Sequence, residues 1–158
     1  MREYEIRDIT LAPSGHQKIE WVKNNMPLLR GLEEEVVKTK PFEGVKISLS
    51  VHLEAKTAYL CLVLAAGGAK MSVTGSNVLS TQDDVAAALA DSGLAVFAYH
   101  GATAEEYDRH IEMCLEQKPN IIIDDGGDLV GLIHTKRPDL AEEVWGGCEE
   151  TTTGVIRL

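Results

Sequence analysis

One histidine, two acid doublets and two hydroxyl-rich runs are the groups in this sequence best suited to moving protons or holding a polyhydroxylated ligand. Glu54 follows His52 at two residues. Asp124-Asp125 continues through Gly126-Gly127 to Asp128, and Glu149-Glu150 runs into Thr151, Thr152 and Thr153. Gly75, Ser76 and Asn77 lead into Ser80, Thr81, Gln82 and Asp83. An imidazole that titrates near neutrality suits proton transfer, and ionised carboxylates accept hydrogen bonds from hydroxyls. Adjacent acids at the ends of buried strands also demand partners, because an unpaired buried charge is costly. Other chemistries compete for the same residues. Asp124, Asp125, Asp128 and Glu150 offer the oxygen ligands of Mg²⁺ or Ca²⁺, but their spacing matches no EF-hand loop, and no metal site is expected. Gly126-Gly127 fits an anion-binding nest or a plain tight turn. Asn77, Ser80, Thr81 and Thr152 fit helix capping as well as ligand binding. His16, His110 and His134 read as surface or helix-packing histidines.

These groups acquire meaning from the elements that position them. Apolar residues at helical spacing (Ile19, Val22, Met26, then Leu28, Leu29, Leu32, Val36) predict helices over 16–25 and 27–38, with Pro27 in a first turn or a kink. The first forty residues read as helical throughout, and Pro41 and Gly44 close that region. The chain then alternates. Strands are expected over 45–51, 70–74, 94–98 and 120–123, and a fifth over 144–148. Helices are expected over 56–66, 82–92 and 103–116, with short ones over 128–134 and 139–143. Ser80-Thr81 is expected to lead into the 82–92 helix, with Asp83 and Asp84 where its dipole favours acids. Thr103 and Glu106 match a capping box. This order implies an α/β fold: a doubly wound, mainly parallel sheet with helices on both faces, preceded by N-terminal helices. The expected organisation is an N-terminal helical segment, 1–44, packed on a Rossmann-like domain, 45–158. Ligands of such sheets bind outside the carboxyl ends of the strands, and each polar run above follows a predicted strand.

Bulk properties narrow the function classes. A net charge of −10 with scattered Lys and Arg disfavours nucleic acid as a partner, since phosphate binding needs clustered cations. No apolar run approaches the roughly 20 residues of a membrane helix, and residues 1–8 lack the apolar stretch of a secretory signal. A cytoplasmic protein with no membrane partner is expected. Cys61, Cys114 and Cys148 are widely spaced and odd in number, so neither a disulfide framework nor a zinc site is expected. Cys61 and Cys114 read as small buried hydrophobes. No Gly-x-Gly-x-x-Gly occurs, so the usual dinucleotide fingerprint is absent.

Four segments in register carry a specific resemblance: His-Leu-Glu-Ala-Lys-Thr at 52–57, Gly-Ser-Asn-Val-Leu-Ser-Thr-Gln-Asp-Asp at 75–84, Ile-Asp-Asp-Gly-Gly-Asp-Leu at 123–129 and Glu-Glu-Thr-Thr-Thr-Gly-Val at 149–155. With His134-Thr135-Lys136 they resemble the N-terminal half of the substrate domain of the adenosylhomocysteinase family, and the order holds from about residue 19 to 158. The resemblance implies reversible, NAD-dependent hydrolysis of S-adenosyl-L-homocysteine to adenosine and L-homocysteine, in the methyl cycle. In that chemistry oxidation of the ribose 3′-hydroxyl acidifies C4′, homocysteine thiolate leaves by elimination, and water adds. It further implies that His52 and Asp125 are acid–base groups around C4′ and C5′. Glu150 and Thr151 would bind and orient the ribose hydroxyls. Glu54 and Lys56 would face the purine. Asn77, Ser80, Thr81, Gln82 and Asp83 would lie near the homocysteine side or build the loop around it. Thr151, Thr152 and Thr153 would touch the cofactor.

Two departures qualify the resemblance. Many family members carry Glu where Lys56 stands, and often Thr where Glu54 stands. Lys is donor-only, and suits a 6-oxo purine better than a 6-amino purine, which makes S-inosyl-L-homocysteine an alternative substrate; the other reading of Lys56 is that it points to solvent or pairs with Glu54. Family chains are also more than twice as long. The NAD domain, and the lysine and aspartate that activate the 3′-hydroxyl, are expected beyond residue 158, so this chain by itself is expected to be inactive. Expected partners are a nucleoside or S-nucleosylhomocysteine, together with further copies of the chain or a complementing NAD-domain chain. The rival reading is a stand-alone nucleoside-binding or assembly module without catalysis.

Overall fold

The computed structural model describes residues 4–158. Strands β1 (Tyr4–Glu5), β2 (Lys46–Val51), β3 (Lys70–Gly75), β4 (Ala95–Phe97), β5 (Ile121–Asp124) and β6 (Gly146–Glu149) form a single sheet. Every pairing is parallel, in the order β1-β4-β3-β2-β5-β6. The helices are α1 (Ala12–Asn25), α2 (Pro27–Thr39), α3 (Ala55–Ala66), α4 (Asp83–Asp91), α5 (Ala104–Leu115), α6 (Asp128–Thr135) and α7 (Thr152–Arg157). From β2 the chain winds one way through β3 to β4. It then crosses back to place β5 on the other side of β2. That reversal leaves a crevice at the carboxyl ends of β2 and β5, the position where doubly wound sheets bind ligands.

Burial on both faces follows from the strand sequences. In β2, Ile47 and Leu49 join the core shared with α1, α3 and α4, while Ser48 and Ser50 are buried on the opposite side. Ser48 is accommodated there because its hydroxyl donates to the Cys114 carbonyl at 2.7 Å. A second core gathers Phe97, Ile111, Leu115, Ile122, Leu129, Ile133 and Leu140 under α5 and α6. Cys61 and Cys114 are buried helix residues, as their sequence context predicts, and burial raises both thiols to about 12, so neither is a reactive thiolate. Helices α1 and α2 lie against α3, and α1 also packs along α4. No helix of the described residues is long and apolar enough to cross a membrane.

The predicted capping box is present on α5: the Glu106 N–H donates to Thr103 Oγ1 at 3.3 Å, and the Thr103 N–H donates to Glu106 Oε2 at 2.8 Å. Thr103→Ala is expected to cost about 1 kcal/mol, measurable as a reduced urea midpoint with an unchanged slope.

The structure corrects several sequence expectations. The segment before residue 44 is not wholly helical, because Tyr4–Glu5 pairs with β4 as an added strand; residues 1–3 lie outside the described residues. A two-residue strand has no periodicity to read, and its Glu5 is held by Arg109 and His110 of α5. Helix α1 begins at Ala12 rather than 16, with Pro13 in its first turn, where a missing N–H costs nothing. Ser80 and Thr81 do not cap α4. Gln82 is the N-cap residue and makes no side-chain cap bond. The helix expected over 139–143 is a 3-10 turn at Pro138–Leu140.

Candidate active site

His52 leaves β2 and Asp125 leaves β5, and because these strands are neighbours their side chains meet over the crevice. His52 Nε2 lies 3.5 Å from Asp125 Oδ2, with half the imidazole side chain exposed and the carboxylate largely covered. Both partners are fixed by residues that follow β3. Ser76 Oγ donates to Asp125 Oδ2 at 2.7 Å, and His52 Nδ1 contacts Ser80 Oγ at 2.5 Å. Ser80 also lies 3.2 Å from the Asn77 carbonyl. Its single hydroxyl proton therefore has two acceptors to choose between, and rotation lets it follow either protonation state of the ring.

The loop after β3 is built by its own side chains. Asn77 Oδ1 accepts from the Leu79 N–H at 2.8 Å, and the Asn77 carbonyl accepts from Thr81 Oγ1 at 2.9 Å. Gln82 and Asp83 are engaged by the protein itself: Lys18 donates to Gln82 Oε1 at 3.0 Å, and the His100 N–H donates to Asp83 Oδ1 at 2.7 Å. Both side chains thus tie the loop to neighbouring segments, while the Gln82 side-chain nitrogen makes no hydrogen bond among the described residues. Between this loop and the start of α5 lies a cavity of about 400 Å³ lined by Ser76, Asn77, Thr103, Tyr107 and Asp128. Tyr107 donates to Asp128 Oδ2 at 2.7 Å, and burial beside that carboxylate pushes its phenol well above the usual range. Sequence reasoning missed Tyr107, because an aromatic at helical spacing on α5 reads as core. Ser76 lies between Gly75 and Asn77 in a hydroxyl-rich run, and nothing in the sequence separates its hydroxyl from its neighbours' as the partner of Asp125.

The two acid doublets divide. Asp124 is buried, whereas Asp125 turns to His52. Burial pushes the Asp124 carboxyl up to about 6, opposed by N–H bonds from Val130 and Asp125 and reinforced by the charges of Glu149 and Asp128. Gly126 and Gly127 both have positive φ, at 103° and 77°, so the turn into α6 needs residues without Cβ. The anion that meets the Gly126 N–H is the protein's own Glu149 Oε1, at 2.7 Å. Glu150 is exposed and its side chain makes no hydrogen bond among the described residues, but its N–H donates to the Asp124 carbonyl at 2.9 Å. Thr151 caps α7 by accepting from the Thr153 N–H at 3.4 Å, and the exposed Thr152 and Thr153 stand in that helix's first turn.

Glu54 is the N-cap residue of α3, its carboxylate accepting from the Thr57 N–H at 3.4 Å. Lys56 Nζ lies 3.9 Å from Glu54 Oε1 with its side chain mostly exposed. The structure thus gathers His52, Ser76, Asn77, Ser80 and Asp125 at one point, with Glu150 and Thr151 one strand away and Glu54 and Lys56 at the head of α3. The arrangement can hold a polyhydroxylated ligand and exchange protons with it.

The family profile described as S-adenosyl-L-homocysteine hydrolase matches residues 3–140. The chain is 54% identical over 156 residues to the adenosylhomocysteinase of Pyrococcus abyssi, covering 99% of this chain. It is 55% identical over 153 residues to the S-inosyl-L-homocysteine hydrolase of Methanococcus maripaludis, covering 97% of this chain. To the adenosylhomocysteinase of Aquifex aeolicus it is 48% identical over 157 residues. The chain spans about 37% of the length of the first two relatives and 38% of the third.

Proposed function

The chain belongs to the S-adenosyl-L-homocysteine hydrolase family, and on that premise we propose that it is the substrate-holding part of an NAD-dependent hydrolase of S-nucleosylhomocysteine thioethers. The observation that carries this reading is the meeting of His52 and Asp125 at the reversal point of the sheet. An acid–base pair held by Ser80 and Ser76 is placed where a ribose can lie across the strand ends. One member of the pair removes the C4′ proton as the C5′–S bond breaks, and that proton goes to the departing homocysteine sulfur. The pair then takes a proton from the water whose oxygen bonds to C5′ and delivers it to C4′. Glu150, with its unengaged carboxylate, and Thr151 accept from and orient the ribose hydroxyls. The amino-acid end of the thioether occupies the cavity at Asn77 and Asp128.

Thr152 and Thr153 present exposed hydroxyls without hydrogen-bond partners among the described residues, a fit for contact with the border of a nicotinamide nucleotide. The rest of that cofactor's site belongs to the portion of the relatives that this chain does not span. When bound, NAD⁺ supplies a reversible hydride acceptor for the ribose C3′.

Lys56 favours a second reading of the substrate. Its ammonium is a donor at the head of α3, complementary to the 6-oxo group of hypoxanthine, and relatives named for each substrate are almost equally similar to this chain. In the protein as expressed from its own gene, Lys56→Glu is expected to move the kcat/KM ratio toward S-adenosyl-L-homocysteine by about 10- to 100-fold, the worth of one hydrogen bond to a charged group. An unchanged ratio assigns Lys56 to solvent and its pair with Glu54. The activity itself is tested by thiol release from both thioethers with added NAD⁺. Release requiring the remaining family segment supports an enzyme. No release in its presence, with nucleoside still bound, supports a non-catalytic binding module.

A further inference from the structure

Each acid doublet spends its first member inward, and those two inward acids face each other. Asp124 and Glu149 are register partners at the carboxyl ends of β5 and β6. Asp124 Oδ1 accepts from the Asp125 N–H and Oδ2 from the Val130 N–H, each at 3.1 Å, while its carbonyl accepts from the Glu150 N–H at 2.9 Å. Glu149 Oε1 accepts from the Gly126 N–H at 2.7 Å and the Thr151 N–H at 3.1 Å. Glu149 therefore ties the loop that follows Asp125 to the loop that carries Thr151. A Cβ on Gly154 would stand 2.1 Å from Glu149 Oε1, so the space at Gly154 exists for this carboxylate.

We propose that Asp124 and Glu149 are positioning residues that lock the two loops together, setting Asp125 against His52 and Glu150 and Thr151 against the ribose. The proposal rests on the functional reading above. Its physical content is that the acceptor geometry matters more than the charge. Glu149 Oε2 is buried with no hydrogen-bond partner among the described residues, so an amide nitrogen there loses no bond that the carboxylate makes.

The test is kinetic and structural on the complete NAD-loaded protein. Glu149→Gln keeps the acceptor oxygen and is expected to hold kcat within about threefold. Glu149→Ala releases both N–H groups and is expected to lower kcat by about 10- to 100-fold with a smaller change in KM, the scale of a reacting group displaced by about an ångström. Gly154→Ala expels the carboxylate and should reproduce that loss, while the double variant Glu149→Ala/Gly154→Ala should be no worse than either single change. Amide exchange supplies the second readout: Gly126 and Thr151 lose protection in Glu149→Ala and keep it in Glu149→Gln, with β2 and β3 amides unchanged in both. Equal kinetic losses in Gln and Ala, additive losses in the double variant, or unaltered Gly126 and Thr151 protection in Glu149→Ala would overturn the proposal. If the wild-type protein releases no thiol, the functional reading fails, and the exchange pattern alone still decides whether the two loops are locked by Glu149.

Discussion

Under the proposed function, Asp125→Asn is expected to lower kcat for thioether hydrolysis by about 10²- to 10⁴-fold, the usual contribution of a positioned general acid–base group. The substitution is conservative in shape. Asparagine retains an oxygen for the Ser76 hydroxyl that now donates at 2.7 Å, so the loop after β3 keeps its anchor and the melting temperature should change little. It removes the capacity to take up a proton and the charge facing His52 Nε2 at 3.5 Å. KM should move much less than kcat, because the purine and ribose contacts proposed for Glu54, Lys56, Glu150 and Thr151 are untouched. If His52 and Asp125 act as one unit, His52→Ala/Asp125→Asn should be scarcely worse than the more damaging single change, since groups that share a step are not additive. A kcat within tenfold of wild type would remove Asp125 from the proton pathway and leave it as a ligand for Ser76 and His52.

How the sequence disclosed this site, and where it fell short, depends on side-chain parity. The strand–helix alternation was readable because β2 and β3 alternate apolar residues with small polar ones, β5 opens on a solid apolar run, and each is followed by a polar run that also located the crevice. Strand β1 was not readable, since its pairing with β4 depends on α5 supplying Arg109 and His110 to Glu5 across more than a hundred residues. The doublets demand partners, but nothing in either pair of adjacent acids says which member turns inward. Along β5 the more deeply buried positions are Ile122 and Asp124, two residues apart and so on one face of the strand. That parity shows only in the folded strand, because Ile121, Ile122 and Ile123 are apolar on both faces; it turns Asp124 inward and frees Asp125 for the crevice. Gln82 and Asp83 could not be sorted from Ser80 in the same way. Their partners, Lys18 on α1 and the His100 backbone, come from segments whose packing no local pattern encodes.

The inward acid carries the second large effect, on stability. Asp124 has its carboxyl raised from 3.8 to about 6, chiefly by burial. The native state therefore holds the Asp124 proton more tightly than the unfolded chain does. As pH rises from about 4 to 6 the unfolded chain releases that proton first, so this residue's contribution to stability falls through the window and levels off above it. The difference between the two values corresponds to roughly 3 kcal/mol. Glu33 and Asp84 act in the opposite sense, because Lys23 with Tyr59, and Lys18 with Ser14, hold their carboxyls below the usual range. The overall pH profile mixes these slopes, and a comparison with Asp124→Asn separates them. Asparagine does not titrate, while Glu33 and Asp84 behave identically in both proteins. Losing one acceptor toward Asp125 or Val130 costs the variant about 1–3 kcal/mol at every pH, and that offset carries no slope. Urea unfolding at pH 4, 5, 6 and 7 should therefore show the wild-type advantage shrinking by about 2 kcal/mol across the series, the remainder of the difference lying below pH 4. Parallel stability curves for the two proteins would mean that the Asp124 proton is held equally in the folded and unfolded states. Its carboxylate would then be solvated well enough, through its N–H bonds, to ionise as it does in water.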